Sequence, residues 1–432
     1  MISVAEQALS SPRTNASRLQ EALISCYRYG LSTLGPVAVS GAHFVASLIF
    51  LRLLRPEDFG QFSFLLIVVP FCLSATGALL GAPASLTRGK DEATAQAEIA
   101  TLQKASLVVS LLAGGLVTAL MLSTGAGWDI APIFGLYGAA STLRSFGRSL
   151  SNVRARLLNV AGSDLVYAAA VISGLVGLVL SQSLSLHNAA IVFAMATVVS
   201  FAPFGASYFR GLLQAVRQPI LVRYLPMWRD IARWSVLGVV LTEVTANAHA
   251  YFVTFLCGPR AFGLLALGAL FMRPVSLVLS ALPDIDQPVM ARRLALRDTK
   301  GAFKVVKEFR TAAGAVLASN VLLSAAILIW FPQLLLRKHY DFTDVLVVLA
   351  LWVGVTLLRV VRTPEAVFIQ ATGGYRELAR ISAWSGATSV AVTFILLCLA
   401  GPVASLGGVL AGEIVIVATV FPLTRRWRAA HG

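Results

Sequence analysis

Charged side chains are scarce in this chain of 432 residues, since they make up only 13% of it while hydrophobic residues make up 57%. Soluble domains carry roughly 25% charged residues. The shortage therefore excludes an ordinary soluble domain. The mean hydropathy of +0.79 favours a polytopic membrane protein instead.

Cysteine is rare too, and its spacing argues against two kinds of site. Cys26, Cys72, Cys257 and Cys398 stand singly, mostly within apolar segments, and none has CxxC spacing. No metal centre and no disulfide framework is indicated. The sequence also contains no Walker loop, no HExxH and no nucleophile elbow. We therefore expect no cofactor, no bound metal, no ATP hydrolysis and no enzymatic activity.

A cleaved signal peptide is not expected either. The first 30 residues carry Arg13, Arg18 and Arg28 among polar residues, with no short apolar core before a cleavage site. The formal charge of +15 would suggest nucleic acid in a soluble protein. Here the basic residues lie in short loops between apolar segments, and no block of interleaved basic and aromatic residues is present. We expect no nucleic-acid partner.

Long apolar segments make up most of the sequence. A membrane-spanning helix needs about 20 apolar residues, and open backbone is not tolerated in lipid. The sequence predicts an all-α protein with about twelve spans, at 31–51, 60–82, 102–123, 131–150, 163–181, 187–208, 235–257, 263–283, 311–331, 343–362, 379–399 and 403–424.

Lysine and arginine concentrate in alternate connections, which predicts the orientation. The segments 209–234 and 292–310 are rich in arginine, whereas 124–130, 182–187 and 400–403 contain no lysine or arginine. Basic loops stay in the cytoplasm. We therefore expect a protein of the inner (plasma) membrane with both termini in the cytoplasm, and the even number of spans agrees with this.

A short motif occurs twice and indicates an internal repeat. Pro56–Gly60 and Pro259–Gly263 both read Pro-x-x-Phe-Gly, and each lies between two apolar segments. The interpretation is two pseudo-symmetric six-helix bundles, 1–208 and 235–432, which face each other across a cavity as in many transporters. We interpret each glycine as allowing a tight re-entry of the chain and each phenylalanine as an anchor at the membrane surface.

The connection 209–234 between the bundles is strongly basic and contains Trp228 and Trp234. It is typical of a helix that lies at the membrane surface. Two roles stay open for it: a linker that enforces topology, or a docking site for anionic lipid headgroups.

The stretch 51–62, Leu-Arg-Leu-Leu-Arg-Pro-Glu-Asp-Phe-Gly-Gln-Phe, resembles the first inter-helix loop of polysaccharide flippases. These are the O-antigen and exopolysaccharide transporters of the multidrug/oligosaccharidyl-lipid/polysaccharide exporter superfamily. Arg88, where the second span ends, also falls where such proteins often place an arginine. The second motif copy is degenerate, with Arg260 and Ala261 in place of Glu57 and Asp58. The resemblance implies flipping of a polyprenyl-pyrophosphate-linked oligosaccharide for cell-surface polysaccharide biosynthesis, with a polysaccharide polymerase as a further partner.

Arginines inside the spans suit an anionic substrate. An ionisable residue within a span is costly unless it snorkels or faces a wet cavity, and a guanidinium binds oxyanions through paired hydrogen bonds. Arg273 is the first candidate, because it lies mid-span and precedes Pro274, which predicts a kink. The other candidate substrate-binding residues are Arg144, Arg359, Arg88, Arg148 and Arg362. Snorkelling to the membrane surface is the alternative for Arg148 and Arg362.

Glu243, Asn247 and His249 form a second set, within two turns of span seven. A carboxylate and an imidazole in a wet cavity could bind a proton or sodium ion and couple transport to a gradient. The alternative is a polar pair that only holds helices together. His43 and Glu413 are similar cases, and Glu413 could pair with an arginine of a neighbouring span.

Three other functions stay open at this point. A drug or metabolite exporter of the same superfamily is the nearest, although such proteins tend to hold cationic substrates through buried acids. A membrane-embedded enzyme of envelope assembly could use His249 or the motif Asp284-Ile285-Asp286, although capping the next helix is the simpler role for these aspartates. A scaffold without transport activity is the third.

Overall fold

The structure is a computed structural model that describes residues 15–89, 91–216, 221–330 and 340–431, without the side chains of 15–33, 88, 89, 221, 222 and 284. All regular secondary structure within these residues is helical. The helices are α1 (Asn15–Leu53), α2 (Pro56–Thr76), α3 (Glu92–Ser123), α4 (Ala131–Val153), α5 (Leu157–Leu180), α6 (Leu186–Val199), α7 (Gly205–Ala215), α8 (Leu221–Met227), α9 (Arg233–Cys257), α10 (Pro259–Phe271), α11 (Arg273–Ala295), α12 (Thr299–Trp330), α13 (Phe342–Ala371), α14 (Tyr375–Ala400) and α15 (Leu406–His431).

Most of these helices are long and apolar enough to cross a membrane. Within the described ranges ten stretches meet that criterion, and the bent pair α10–α11 makes an eleventh. The predicted fourth span corresponds to α4, which does not meet the criterion although its 23 residues reach about 35 Å. Arg144 and Arg148 lie within α4 and make it less apolar than the other spans. The all-helical membrane class predicted from the sequence is confirmed.

The helices pack as two lobes. In the N-terminal lobe α1 packs on α5, α3 on α4, and α6 on both α4 and α5. In the C-terminal lobe α9 packs on α14, α14 on α15, and α13 on α11, α12 and α15. The lobes meet mainly where α2 lies against α9 and α10. We call the end of the molecule with the short α1–α2 and α9–α10 turns the tight-turn end, and the opposite end the basic end.

The two motif copies form the starts of helices, directly after the short α1–α2 and α9–α10 turns. Pro56 opens α2 and Pro259 opens α10, each at a position where the missing N–H costs nothing. Gly258, which precedes the second copy, has a φ of +87°, a conformation that suits glycine. The predicted membrane-surface anchoring of the two phenylalanines was wrong, because Phe59 and Phe262 are both buried in the core.

Gly60 and Gly263 instead allow the two lobes to touch. A Cβ atom on Gly60 would lie 1.8 Å from the Pro259 carbonyl oxygen, and one on Gly263 would lie 3.3 Å from the Cα of Gly60. Glu57 and Arg260 pair across the same contact, with 3.9 Å between their charged atoms. We call this contact between Pro56–Gly60 and Pro259–Gly263 the motif interface.

The eighth span bends where the sequence predicted a kink. The helix stops at Phe271 and resumes at Arg273, with 57° between the two axes. Pro274 provides the reason, because it lacks the N–H that a continuous helix would need at this position. Met272 is the residue at the break, and Asn320 of α12 donates to the Phe271 carbonyl oxygen at 2.9 Å. The break is therefore held by a polar contact to a neighbouring helix.

The basic connection is not a separate surface helix in the described residues. Residues 205–215 form α7, which continues the apolar stretch of α6 after a break at 200–204. Residues 221–232 run through α8 and a π-helical turn directly into α9. The sequence prediction placed one element over 209–234, but the structure divides that range between the ends of two long helices. The proposed domain limits at 208 and 235 remain a prediction.

Candidate substrate-transport site

A cavity lies between the two lobes beneath the motif interface. It encloses about 200 Å³ of space that water can occupy. Phe59 and Phe262, one from each motif copy, belong to its wall at the tight-turn end. Helices of both lobes contribute the rest of its lining: Ser47, Ser63, Leu66, Ile67, Asn247, His249, Leu265, Ala266, Ala269, Leu270, Arg273, Ser276 and Trp352.

Arg273 is half-buried and lines this cavity at the bend between α10 and α11. A rise of about 1.5 Å per residue puts it roughly 16 Å beyond Phe262 along the helix path. Within the described residues no carboxylate lies within ion-pair distance of its guanidinium. The N–H groups of its guanidinium are consequently available to an anion in the cavity. The bend places the first turn of α11 beside that cavity.

Arg144 and Arg148 share one carboxylate in the N-terminal lobe. Both lie on α4, and both contact Asp164 on α5, at 2.5 Å and 2.9 Å. Arg144 also donates to the Ser163 hydroxyl at 2.9 Å and stacks over the Tyr167 ring. The Asp164 side chain is fully buried. Two guanidiniums on one carboxylate leave a formal charge of +1 in this cluster.

Arg359 and Arg362 form the matching cluster in the C-terminal lobe. Both lie on α13 and both donate to Glu413 on α15, Arg359 at 2.7 Å. The predicted pairing of Glu413 with an arginine of a neighbouring span is therefore confirmed. The formal charge is again +1. About a quarter of each arginine side chain is exposed, so these two retain some access to a ligand, as Arg148 does in the other lobe.

A third pair joins Arg310 on α12 to Glu365 on α13 at 2.5 Å. The sequence prediction ended span ten at 362 and began span nine at 311, so it placed both residues outside the spans. The helices run further, to Ala371 and from Thr299. Asp164 lies inside its predicted span and was overlooked; an aspartate among apolar residues was the available signal.

His43 belongs to a hydrogen-bonded chain in the N-terminal lobe. Its Nε2 atom lies 2.8 Å from the Tyr167 hydroxyl, which lies 3.1 Å from the Tyr137 hydroxyl. Because Arg144 stacks over Tyr167, this chain leads to the arginine cluster of the same lobe. The imidazole is thus satisfied by helix packing partners, which is the simpler of the two sequence interpretations.

Glu243, Asn247 and His249 do not converge on one point. Glu243 accepts from the Tyr251 hydroxyl at 2.8 Å and lines a groove of about 350 Å³ beside Ser74 of α2. His249 is buried, packs edge-on against Trp352 and lines the central cavity. Asn247 also lines the central cavity and hydrogen-bonds Glu243. A combined carboxylate–imidazole site is therefore absent from these described residues, and Asn247 connects the two places.

Three further predictions concerned Arg88, the Asp284–Asp286 motif and metal binding. Arg88 lies in the 3₁₀ turn Leu86–Gly89, beyond the end of α2, and its side chain is outside the described part. Asp286 lies within α11, which continues from Arg273 to Ala295, so the expected capping role of the Asp284–Asp286 motif was wrong. No group of three or more metal-ligating side chains was found among the described residues.

Comparison with known proteins identifies the fold. No family model matches the sequence, and comparison with curated protein sequences gives no significant match. Solved structures do match. A structure titled as an inward-facing multidrug resistance MATE family transporter of the MOP superfamily is 13% identical, with a TM-score of 0.65 and coverage of 93% of this chain and 98% of that one.

Two further structures agree. The lipid II flippase MurJ in an inward closed conformation is 11% identical, with a TM-score of 0.69 over 91% of this chain and 87% of that one. An outward-facing MATE transporter is 15% identical, with a TM-score of 0.57 over 94% and 95%. The chain thus shares the two-lobed helical fold of these structures, which are transporters and a flippase rather than enzymes.

Proposed function

We propose that this protein flips a polyprenyl-pyrophosphate-linked oligosaccharide across the membrane by alternating access of its two lobes. The observation that carries the proposal is Arg273, a guanidinium without a carboxylate partner among the described residues, in a cavity between the lobes. Arginine binds phosphate oxygens through two parallel hydrogen bonds. The pyrophosphate and sugars would occupy the cavity while the lipid tail stays in the bilayer.

The charge of the cavity surroundings supports an anionic substrate. The two arginine clusters each carry a formal excess of +1, and the residues that line the central cavity in the described part include no aspartate or glutamate. Arg148, Arg359 and Arg362 do not line the cavity in this arrangement, but each keeps part of its side chain exposed and would be a further contact for the moving pyrophosphate.

The motif interface supports alternating access. It joins the lobes at the tight-turn end, while α11 bends away and contacts only helices of its own lobe among the stronger packing pairs. The TM-score is higher against the inward-facing MATE transporter than against the outward-facing one. We therefore assign this arrangement to the inward-facing state, which puts the basic end and both termini in the cytoplasm. Reporter fusions at Gly125 and Ser405 should then lie outside.

A drug exporter is the second candidate, and the MATE neighbours favour it. Such a protein would take cationic compounds, for which the cavity should present a free carboxylate. Glu243 is the acid nearest to that requirement, because its partners are a tyrosine hydroxyl and an amide rather than an arginine. It lines the groove beside α2 instead of the central cavity.

The decisive test uses purified protein in proteoliposomes with a fluorescent polyprenyl-pyrophosphate oligosaccharide and, separately, a cationic dye. We expect the wild type to flip the lipid-linked sugar, Arg273→Ala to reduce the rate at least tenfold, and Arg273→Lys to restore part of it, since lysine lacks the paired donors. Arg55→Ala, at an exposed ion pair, is the control.

Transport of the dye with no flipping of the oligosaccharide would establish the exporter instead. Full activity of Arg273→Ala would remove this residue from the substrate path. In cells, the flipped oligosaccharide would be the substrate of a polysaccharide polymerase on the outer face, the partner that we propose.

A further inference from the structure

A second polar groove lies at the basic end of the N-terminal lobe, away from the central cavity. It is formed between α3, the turn after α4 and α7, and it has a volume of about 510 Å³. Arg154, Arg210, Gln96, Gln103 and Gln214 supply its polar groups. No aspartate or glutamate lines it in the described part of the chain.

The cations of this groove have no acidic partner. Arg154 lies at the end of α4, and a smaller adjoining pocket brings Arg156 beside it. Within the described residues neither of these arginines, nor Arg210, has a carboxylate within ion-pair distance. Partial burial, and then the charge of Arg156, lower the pKa of Arg154 below its usual value. A bound anion would offset both effects.

An uncharged hydrogen-bond donor lies at the floor of the groove. Gln103 lines the groove and is 6% exposed. Its Nε2 atom lies only 2.5 Å from where a Cβ on residue 211 would be, so Gly211 leaves the amide uncovered. The amide can therefore donate to a group that enters the groove.

The helix beside the groove has a polar and an apolar side. Ser207, Arg210 and Gln214 recur at the spacing of one helix face and line the groove. Phe209, Leu213 and Val216 recur on another face and are all exposed. Because α7 continues an apolar stretch long enough to cross a membrane, that exposed face would meet lipid in the bilayer. The groove would then open beside acyl chains.

The position of α7 is fixed without any ligand. The Tyr208 hydroxyl donates to the Leu143 carbonyl oxygen of α4 at 3.0 Å, and Leu212 packs in a buried cluster with Leu150, Phe201 and Phe204. The groove is consequently preformed, and binding needs little reordering of the protein.

We propose that this groove binds the phosphate headgroup of an anionic membrane phospholipid. Arg154 and Arg210 would hold the phosphate oxygens, and the Gln103 amide would donate to the same group. The acyl chains would lie along Phe209 and Leu213. The site is independent of the transported substrate, since its residues are separate from those of the central cavity.

Binding can be measured in neutral detergent by the rise in melting temperature and by native mass spectrometry. The probes are phosphatidylglycerol, phosphatidylcholine as the neutral lipid, and glycerol phosphate as the soluble headgroup. We expect phosphatidylglycerol to bind at least tenfold more tightly than either of the other two. Equal binding of glycerol phosphate would overturn the assignment to a lipid, and equal binding of phosphatidylcholine would overturn the need for a net anionic headgroup.

Three variants test the residues. Arg154→Gln with Arg210→Gln should weaken phosphatidylglycerol binding at least tenfold, since each basic side chain near an anionic headgroup contributes about fivefold. Arg223→Gln with Arg229→Gln removes the same charge from exposed positions outside the groove, and should change affinity less than twofold. An equal loss of phosphatidylglycerol affinity in both double variants would show that binding depends only on the total surface charge, and would overturn the site.

Gln103→Leu separates a role in binding from a role in packing. The substitution removes the amide that faces the groove and keeps every charge. We expect a melting temperature without lipid close to that of the wild type, together with a several-fold loss of phosphatidylglycerol affinity. A lower melting temperature with unchanged affinity would show that Gln103 only packs the helices, and would remove it from the site.

Discussion

Gly60 of the N-terminal lobe lies so close to Pro259 of the C-terminal lobe that a Cβ atom on residue 60 would fall 1.8 Å from the Pro259 carbonyl oxygen. No side chain but hydrogen fits there unless the backbones separate. The two copies of the sequence repeat thus touch one another, and the closed state of the tight-turn end depends on a glycine.

Gly60→Ala should therefore open the motif interface without unfolding the lobe. We expect spin labels at Arg55→Cys and Leu256→Cys, in a background without native cysteines, to show a longer distance population in electron paramagnetic resonance. Gly41→Ala is the matched control, because residue 41 is also a helical glycine and a Cβ there meets nothing within 4 Å. An unchanged distance in Gly60→Ala would disprove the requirement.

The charge pair across this interface gives a second prediction. Glu57 and Arg260 occupy equivalent positions of the two motif copies and face one another at 3.9 Å. An exact repeat would place two glutamates at this contact. Because the second copy has an arginine instead, the two side chains carry opposite charges. Arg260→Glu should lower the closed population up to about fivefold, since exposed pairs contribute about 0.2–1 kcal/mol.

The reversed pair, Glu57→Arg with Arg260→Glu, should restore the wild-type distance distribution. The difference should shrink at high salt, because both side chains are about half exposed or more and are screened. If the reversed pair behaves like Arg260→Glu alone, the two residues do not interact across the lobes.

The sequence was informative about this contact but not about its geometry. The spacing of Pro56–Gly60 and Pro259–Gly263 predicted two equivalent bundles, because a motif that recurs between long apolar segments indicates a duplicated set of helices. It could not reveal that the copies face each other, since helix starts in different lobes have no local signal for their contact. Phe59 and Phe262 were consequently assigned to the membrane surface although they are core residues.

The arginine sites were predicted in type but not in pairing. Arginines inside spans are visible in sequence, and so is the Pro274 kink beside Arg273. Which carboxylate reaches Arg144 or Arg359 depends on which helices are neighbours, because Asp164 and Glu413 lie on other helices, 20 and 54 residues away in the sequence. The limits of α12 and α13 were also too short in the prediction, because polar residues within a membrane helix are tolerated where they pair.

Disrupting the cluster of Arg144, Arg148 and Asp164 should lower the free energy of unfolding more than disrupting an exposed ion pair does. Asp164→Asn leaves Arg144 and Arg148 without their carboxylate, and removing one partner of a buried pair costs about 3–5 kcal/mol. We expect a lower melting temperature in detergent and less folded protein in the membrane. Asp58→Asn, at the exposed pair with Arg55, should change stability by less than about 1 kcal/mol.

Adding Arg144→Gln to Asp164→Asn should recover part of the loss, because it removes the more deeply buried of the two unpaired cations. A melting temperature for Asp164→Asn equal to that of the wild type would mean that the cluster contributes nothing to folding.

Glu243 is the candidate residue for coupling transport to an ion gradient. This carboxylate hydrogen-bonds Tyr251 and Asn247 on its own helix and has no arginine partner among the described residues, unlike Asp164, Glu365 and Glu413. It lines a groove beside Ser74 of α2, so it lies between the two lobes. A carboxylate in such a place can exchange a proton or sodium ion as the lobes separate.

Glu243→Gln should consequently abolish the effect of an imposed gradient on flipping, while substrate binding persists. Proteoliposomes with a proton gradient, a sodium gradient or neither separate the two ions. Tyr251→Phe should weaken the response, because it removes the hydroxyl at 2.8 Å from the carboxylate. Glu308→Gln, at an exposed pair with Lys304, is the control for charge. If neither gradient alters flipping in the wild type and Glu243→Gln matches it, the carboxylate serves only to hold α9 together.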